Sequence, residues 1–351
     1  MIGSLFFCDK PILKLLSTNC YTLSMIRKKI AVLRGGPSYE YPFSLKTGSH
    51  VLRSFPEHYE PVDILIDRGG QWHRQGWPIR PEQAFEGTDA TFNALHGAYG
   101  EDGILQQEFS RYGVLHTGPS AFGSVLAMNK LRAKKAFERS GIKTPQFLVF
   151  SRDEENRDER AFNTFRSFPF PAVVKPVSGG GSIGVSVARS YDEFLEALES
   201  ALQFHPEALV EEYISGKEVS CATVEHFRGQ KEYSLLPVQI QQEGGICSAL
   251  LREKGECVGA CPAPLTHEEK REVERLTGLA HTILHLRHYS QSEFIVSPRR
   301  GIYILETDAL PHLHEESPLP HSLQGVGSNF PEFLDHVLRL AMDPKHFAYH
   351  T

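Results

Sequence analysis

The sequence is poor in what would tie it to a polyanion or a bilayer. Lysine and arginine (37) are outnumbered by aspartate and glutamate (43), leaving a formal charge of -6. With no basic stripe to neutralise phosphates, no nucleic-acid partner is expected. No apolar run reaches the roughly 18–20 residues of a bilayer span, so no membrane association is expected either. Six cysteines among 351 residues are too few and too scattered for a disulfide framework. Cys8, Cys20, Cys221, Cys247, Cys257 and Cys261 therefore read as reduced thiols of a cytoplasmic protein. Cys257, Cys261 and His267 make a poor zinc half-site, because Pro262 and Pro264 break their spacing. Internal repeats and low-complexity segments are absent.

What is present divides into blocks, as a chain too long for one ordinary core should. Residues 1–24 precede a second methionine, Met25, and lack both an uninterrupted apolar stretch and a core-facing period. They are read as an appendage or a mis-assigned start. From 25 to 117, the runs "KIAVL", "VDILI" and "ATFNAL" end in glycine-rich loops, the pattern of a buried parallel sheet in an α/β, Rossmann-like unit. The loops "RGGPS" (34–38) and "HGAYGEDG" (96–103) follow two of these strands, where open α/β sheets bind ligands. From 118 to 205 comes a smaller unit with one helix expected over 121–139 and another at 190–202, opened by a capping box of Ser190 with Glu193. The charge run 151–160 reads as a solvated loop or helix start. Residues 206–351 carry further strands, a helix from Thr266 to about His288 capped by Thr266 and Glu269, and an amphipathic helix at 330–342. The later units are α+β.

The chemistry concentrates in "VVKPVSGGGSIGVSVA" (173–188). In a phosphate loop of the G-x-x-x-x-G-K-[ST] kind the lysine follows the glycines; here Lys175 precedes them. The pattern strand, glycine turn, strand describes a β-hairpin lid whose backbone N–H groups cradle phosphate while the lysine reaches in. Downstream, "LVEEYISGKE" offers a strand edge with Glu211 and Glu218, suited to adenine and ribose. "SEFIV" and "YILETDALP" place Glu293, Glu306 and Asp308 on adjacent strands, and alternation sets Glu306 and Asp308 on one face. Three carboxylates meeting among apolar neighbours suit Mg²⁺.

In their order and spacing these motifs resemble the D-alanine–D-alanine ligase family of the ATP-grasp superfamily, from about Ile26 to Met342. "VLRGGPSYEYPFSLKTG", "LHGAYGEDGILQQEFSRYGVLHTGPS", "LAMNKLRAKKAFERSGIKTP", "VVKPVSGGGSIGVSV", "LVEEYISGKEVSCA" and "LETDALPHLHEESPLP" carry the resemblance. It implies an ATP-grasp fold and an ATP-dependent carboxylate–amine ligase acting through an acylphosphate in peptidoglycan precursor synthesis. It also implies small amino-acid substrates, D-Ala by default, and a homodimer. Lys130 and Lys175 would contact ATP phosphates beneath a lid that includes Gly180, Gly181 and Ser182. Glu211 and Ile214 would sit at the adenine hinge and Glu218 at the ribose, while Glu293, Glu306 and Asp308 would hold two Mg²⁺ ions, with Mn²⁺ a substitute. Glu40 and Ser44 match the family's first-amino-acid loop, His96 its HGxxGED loop, and Ser317 the serine for the second substrate's carboxylate.

The chain departs from that pattern on the amino-acid side. Gln291 stands where the family has an arginine, His312 where a glycine N–H helps polarise the reacting carbonyl, and Gly181 where a lid serine contacts substrate. The family's tyrosine loop corresponds to "GICSALLREKGECVG", which has no tyrosine. Glutamine cannot replace a bidentate, permanently charged guanidinium. The expectation is an intact ATP half and a rewritten acceptor half. That leaves a ligase with another amino-acid or amine substrate, or a non-ligating nucleotide-binding regulator, as alternatives.

Overall fold

The computed structural model describes residues 27–241, 247, 251 and 256–343. The appendage 1–24, Cys8, Cys20 and most of the loop that replaces the tyrosine segment lie outside these residues. Strand β1 (Lys28–Gly35) is flanked in parallel by β2 (Tyr59–Ile66) and β5 (Ala90–Asn93), the parallel sheet expected from its apolar run. Ile30 to Leu33 are wholly buried because both faces are covered. Helix α1 (Tyr41–Arg53) makes the β1–β2 crossover; α2 (Pro81–Phe85) and α3 (Ile104–Tyr112) bracket β5. A hairpin, β3 (Trp72–Arg74) with β4 (Trp77–Ile79), extends the sheet on the β2 side. Its turn residues Gln75 and Gly76 both have positive φ, the geometry that suits the twist of a two-residue hairpin.

The expected helix over 121–139 is two helices, α4 (Ala121–Met128) and α5 (Lys130–Arg139). Asn129 breaks them with an extended ψ of 101°, and its side chain accepts the Arg132 N–H as N-cap of α5. The break sets Lys130 at the first turn of α5, where its backbone N–H donates to Val177 O at the root of the glycine hairpin. Four strands form the next sheet, in the order β6 (Phe147–Ser151), β9 (Glu207–Glu212), β7 (Ala172–Pro176), β8 (Ser186–Ala188). The charge run straddles the end of β6 and the start of α6 (Arg157–Ser167). At α7 (Tyr191–Phe204) the Ser190 cap forms, but Glu193 reaches back to the Arg189 N–H instead of closing a box on Ser190.

Ser215 and Gly216 pass the chain from β9 into the third sheet. Its order is β11 (Glu232–Ser234), β10 (Lys217–Glu225), β13 (Tyr289–Ser297), β14 (Gly301–Asp308), with β12 (Val238–Gln239) also on β10. Helix α8 (His267–Ile283) opens with the expected Thr266–Glu269 capping box. It stops short of His288 because His285 turns left-handed, with φ 52°. Helices α9 (Pro318–Gly325) and α10 (Phe330–Met342) end the described chain. Phe330, Phe333, Leu334, Val337 and Leu338 of α10 share one core with Ile30 and Val32 of β1 and with Ala222 and Val224 of β10. That shared core fixes the first sheet against the third and sets the His96 loop against Leu310 to His312.

Cys247 and Cys257 are not reduced thiols but a disulfide, with Cα atoms 6.0 Å apart. The chain doubles back through the Ile240–Val258 bridge, and the Gln241 N–H donates to Cys257 O, which brings the sulfurs within reach. Cys221 and Cys261 remain free.

Candidate active site

The glycine stretch folds as expected into a hairpin: β7 and β8 pair antiparallel from Ala172–Ala188 to Val174–Ser186. It roofs a cleft of about 810 Å³ lined by Lys130, Lys175, Gly180, Ser182, Ile214 and Glu218. The cleft lies between the second and third sheets, with the backbone edge Glu212–Ile214 at one end. Lys175 Nζ stands 3.1 Å from one oxygen of Glu211, and Lys134 Nζ stands 2.9 Å from the other. Burial opposes the Glu211 charge, but the two lysines outweigh it and hold the carboxyl below its usual range. Burial also pushes the Lys134 ammonium down to about 8, against the pull of Glu211. Both Glu211 oxygens are thus engaged by cations. Lys134 was missed in the sequence. Its signal is the spacing of four from Lys130, which puts both on one face of α5.

Lys130 Nζ donates to Gly179 O and lies 3.3 Å from Glu306. Glu306 faces Glu293 across the β13–β14 ladder, and Asp308 faces Gln291. A register shift follows Glu293, and one oxygen from each of Glu293, Glu306 and Asp308 falls within 4.8 Å of the others. Burial, then Glu306 and Glu293, raise the Asp308 carboxyl well above its usual range. Three crowded carboxylates with oxygen-only donors fit a hard divalent cation, which would relieve their repulsion. Among the described residues, Cys257, Cys261 and His267 form no such group.

A second cleft, about 450 Å³, adjoins the first and is lined by Glu40, Glu101, Gly181, Gln291, Asp308 and His312 among others. Glu40 is buried, and burial raises its carboxyl while His96 and Lys130 pull it back. The Gly180 N–H donates to its Oε1 at 3.0 Å, and His312 Nε2 lies 3.5 Å from its Oε2. Two glycines make room for this carboxylate: a Cβ at Gly97 would lie 2.7 Å from Oε1, and one at Gly180 2.9 Å from Oε2. His312 stacks on Phe43 at 4.4 Å and meets the edge of His96 at 4.6 Å. Burial pushes His96 down to about 4, so its ring is neutral near pH 7. Thr47, also unforeseen, bonds His96 Nε2 at 2.9 Å and accepts the Leu313 N–H.

Two expected residues stand behind this cleft. Ser44 Oγ accepts the Gly35 N–H and donates to Ala94 O, bracing the loop. Ser317 Oγ donates to His314 O at the start of α9. Gln291 is 3% exposed, and its Oε1 has no hydrogen-bond partner among the described residues.

Comparison with known proteins agrees with this arrangement. Residues 136–339 match the family described as D-ala D-ala ligase C-terminus. The D-alanine–D-alanine ligase of Geotalea uraniireducens (strain Rf4) is 34% identical over 315 residues, spanning 90% of this chain and 96% of its own. That of Citrifermentans bemidjiense is 31% identical over 317 residues, with 90% and 96% covered. Among solved structures, the VanG D-Ala:D-Ser ligase from Enterococcus faecalis superposes with a TM-score of 0.77 at 26% identity, over 90% of this chain and 99% of that one. The D-alanine–D-alanine ligase from Coxiella burnetii matches in fold, with a TM-score of 0.77 at 20% identity over 92% and 96%. A cleft under a glycine hairpin, an acidic triad and near full-length likeness agree: the chain belongs to the D-alanine–D-alanine ligase family, and is an ATP-dependent ligase.

Proposed function

We propose that the protein joins two amino-acid-like substrates at the expense of ATP and Mg²⁺, supplying a cell-wall precursor as the family resemblance implies. The observation that carries this is the junction of the clefts: Gly180, Glu293 and Glu306 line both. A phosphoryl group held in the first would face a carboxylate held in the second. Lys130 and Lys175 hold phosphate oxygens, Gly180 to Ser182 cover them, Ile214 and the neighbouring backbone seat the base, and Glu218 the ribose. Glu293, Glu306 and Asp308 would hold the metal, two Mg²⁺ ions in this reading, which neutralises charge on the phosphates when bound.

Glu40 receives the ammonium of the first substrate, whose carboxylate takes the γ-phosphoryl group as ADP is released. The second substrate's amine then attacks the acyl carbon. The C–N bond forms as the C–O bond to phosphate breaks, and the proton given up by nitrogen goes to the departing phosphate. Positioning provides most of the rate. The blocks 25–117, 118–205 and 206–351 act as the substrate lobe, the lid lobe and the metal lobe of a cytoplasmic homodimer. Among the described residues, no helix is long and apolar enough to cross a membrane.

The test is ADP release from ATP and Mg²⁺ with and without D- and L-amino acids, hydroxylamine being added to trap any acylphosphate as a hydroxamate. Amino-acid-dependent ADP and hydroxamate are expected, and both should vanish in Glu306→Gln. Nucleotide binding with neither product would instead favour a non-ligating regulator.

A further inference from the structure

Glu40 is a carboxylate placed where charge is hard to keep unaided. It is 5% exposed, and burial raises its carboxyl against the pull of His96 and Lys130. A buried carboxylate needs donors on its oxygens. Oε1 has the Gly180 N–H at 3.0 Å. Oε2 is faced by Nε2 of His312 at 3.5 Å, within ion-pair range though longer than a tight hydrogen bond. Two aromatic contacts fix the His312 ring in that pose. It lies on Phe43 with 13° between the planes, and it meets the His96 ring at 72° and 4.6 Å. Phe43 also touches the second departure from the family's pattern, Gly181. A Cβ there would lie 3.2 Å from the Phe43 ring, tighter than ordinary contact, and the backbone has a φ of 60°. A serine at 181 would strain the backbone and press on the ring that carries His312. The two departures are therefore one arrangement: the room left by Gly181 goes to Phe43, and Phe43 carries an imidazole to Glu40.

From these placements we infer that His312 is a positioning residue of the first-substrate site: its Nε2–H, together with the Gly180 N–H, aims the Glu40 carboxylate at the substrate's ammonium. This inference rests on the ligase reading and deepens it. The group comes from the loop between β14 and α9, where the family's glycine has no side chain to offer. A carboxylate has about four acceptor positions, so two protein donors leave room for the ammonium. Without the His312 N–H, Oε2 is less well satisfied and the carboxylate is held from one side only. The hold on the ammonium then weakens in the ground state and the transition state alike. Such a loss raises the KM of the first substrate and leaves kcat nearly unchanged. The nucleotide cleft is not lined by His312, so the KM of ATP should not follow.

The test first finds the amino acid, D or L, that gives hydroxamate with ATP, Mg²⁺ and hydroxylamine. Its KM, the KM of ATP and kcat are then measured for three proteins: the natural one, His312→Phe and His312→Gln. Phenylalanine keeps a flat ring to stack on Phe43 but has no N–H, whereas glutamine gives up the ring and keeps an N–H donor. His312→Phe should raise the amino-acid KM about tenfold or more, the worth of a hydrogen bond to a charged group, with kcat and the KM of ATP nearly unchanged. His312→Gln should recover most of that loss. If His312→Phe does not fold, His312→Met, close to glutamine in length and without a donor, takes its place in the same comparison. An amino-acid KM unmoved in the variant without a donor, or a glutamine variant no better than it, overturns the role of His312 and leaves the ligase standing. A purely structural role, felt through stacking, would favour phenylalanine over glutamine and so gives the opposite order. Absence of hydroxamate with every amino acid in the natural protein overturns the ligase reading and this inference with it.

Discussion

The backbone N–H of Gly180 donates to Oε1 of Glu40 at 3.0 Å, joining residues 140 positions apart. The tip of the glycine hairpin is thereby docked on the loop that follows the first parallel strand. His312 approaches the other oxygen of the same carboxylate. In the proposed reaction the hairpin and the ammonium site of the first substrate therefore share one group, and an ammonium arriving at Glu40 would meet a carboxylate already aimed by Gly180.

Gly180→Ala tests that coupling. The backbone at Gly180 is outside the left-handed region, so alanine is tolerated by φ, but its Cβ would lie 2.9 Å from Glu40 Oε2. The lid tip or the carboxylate must move. We expect the KM of the amino-acid donor to rise at least tenfold while the KM of ATP changes less, with thermal stability little altered. Steady-state kinetics in both substrates check this; a rise confined to ATP would place the contact in nucleotide binding alone.

Lys175 and Lys134 share Glu211 yet should respond differently to removal. Lys175 lines the cleft proposed for the nucleotide, and Lys175→Ala should weaken ATP binding about tenfold or more, since a charge-assisted bond contributes roughly 1.5–3 kcal/mol. Lys134 is wholly buried and does not line the cleft. Lys134→Met should lower folding stability by about 3 kcal/mol, toward the smaller end for a broken buried pair because Lys175 still faces Glu211. Calorimetric ATP titration and denaturant unfolding of both variants separate the roles.

Glu306 belongs to the acidic triad and also faces Lys130. Glu306→Gln removes one charged oxygen donor and frees the lysine, so the Mg²⁺ concentration giving half-maximal ATP-dependent stabilisation should rise at least tenfold. A Mg²⁺ titration of the melting temperature at fixed ATP reads this without turnover. An unchanged midpoint would remove Glu306 from the metal site.

How much of this was legible in the sequence follows from how local each signal is. The β1 run, the glycine hairpin and the Glu306/Asp308 pair were legible because strand alternation and turn chemistry act over a few residues. The meeting of Glu293 with Glu306 needed only two adjacent strands. The Asn129 break was hidden because the apolar period continues across it while an N-cap bond divides the helix. Nothing local marks Lys134 as buried, because its burial depends on Glu211 from a distant strand. The Cys247–Cys257 link misled because cysteine count measures a framework, whereas one local doubling-back suffices to join two thiols. The engagement of Ser44 and Ser317 by backbone groups is a tertiary fact with no pattern in the chain.

The last prediction concerns pH and a histidine remote from the clefts. His116 Nδ1 lies 3.2 Å from Thr117 O and donates to it, while Nε2 lies 3.3 Å from an Arg287 nitrogen and accepts from it. The folded ring is therefore the neutral Nδ1–H tautomer, stacked on Phe109 at 4.5 Å. Burial first, and Arg287 second, push its pKa down to about 3, from an ordinary value near 6.5. In that interval the unfolded chain binds a proton that the folded chain refuses. The contribution of His116 is thus fully present above roughly pH 6.5 and is lost as pH falls toward 3, by up to about 1.4 kcal/mol per pH unit. His116→Gln has no titrating group but keeps an acceptor within reach of Arg287. It should be less stable than the natural protein at pH 7.5, through lost packing on Phe109, yet lose less stability as the medium is acidified. Urea unfolding at intervals from about pH 7.5 to pH 5 gives both slopes; parallel lines would mean that Nε2 is protonated in the folded state and that Arg287 does not face it.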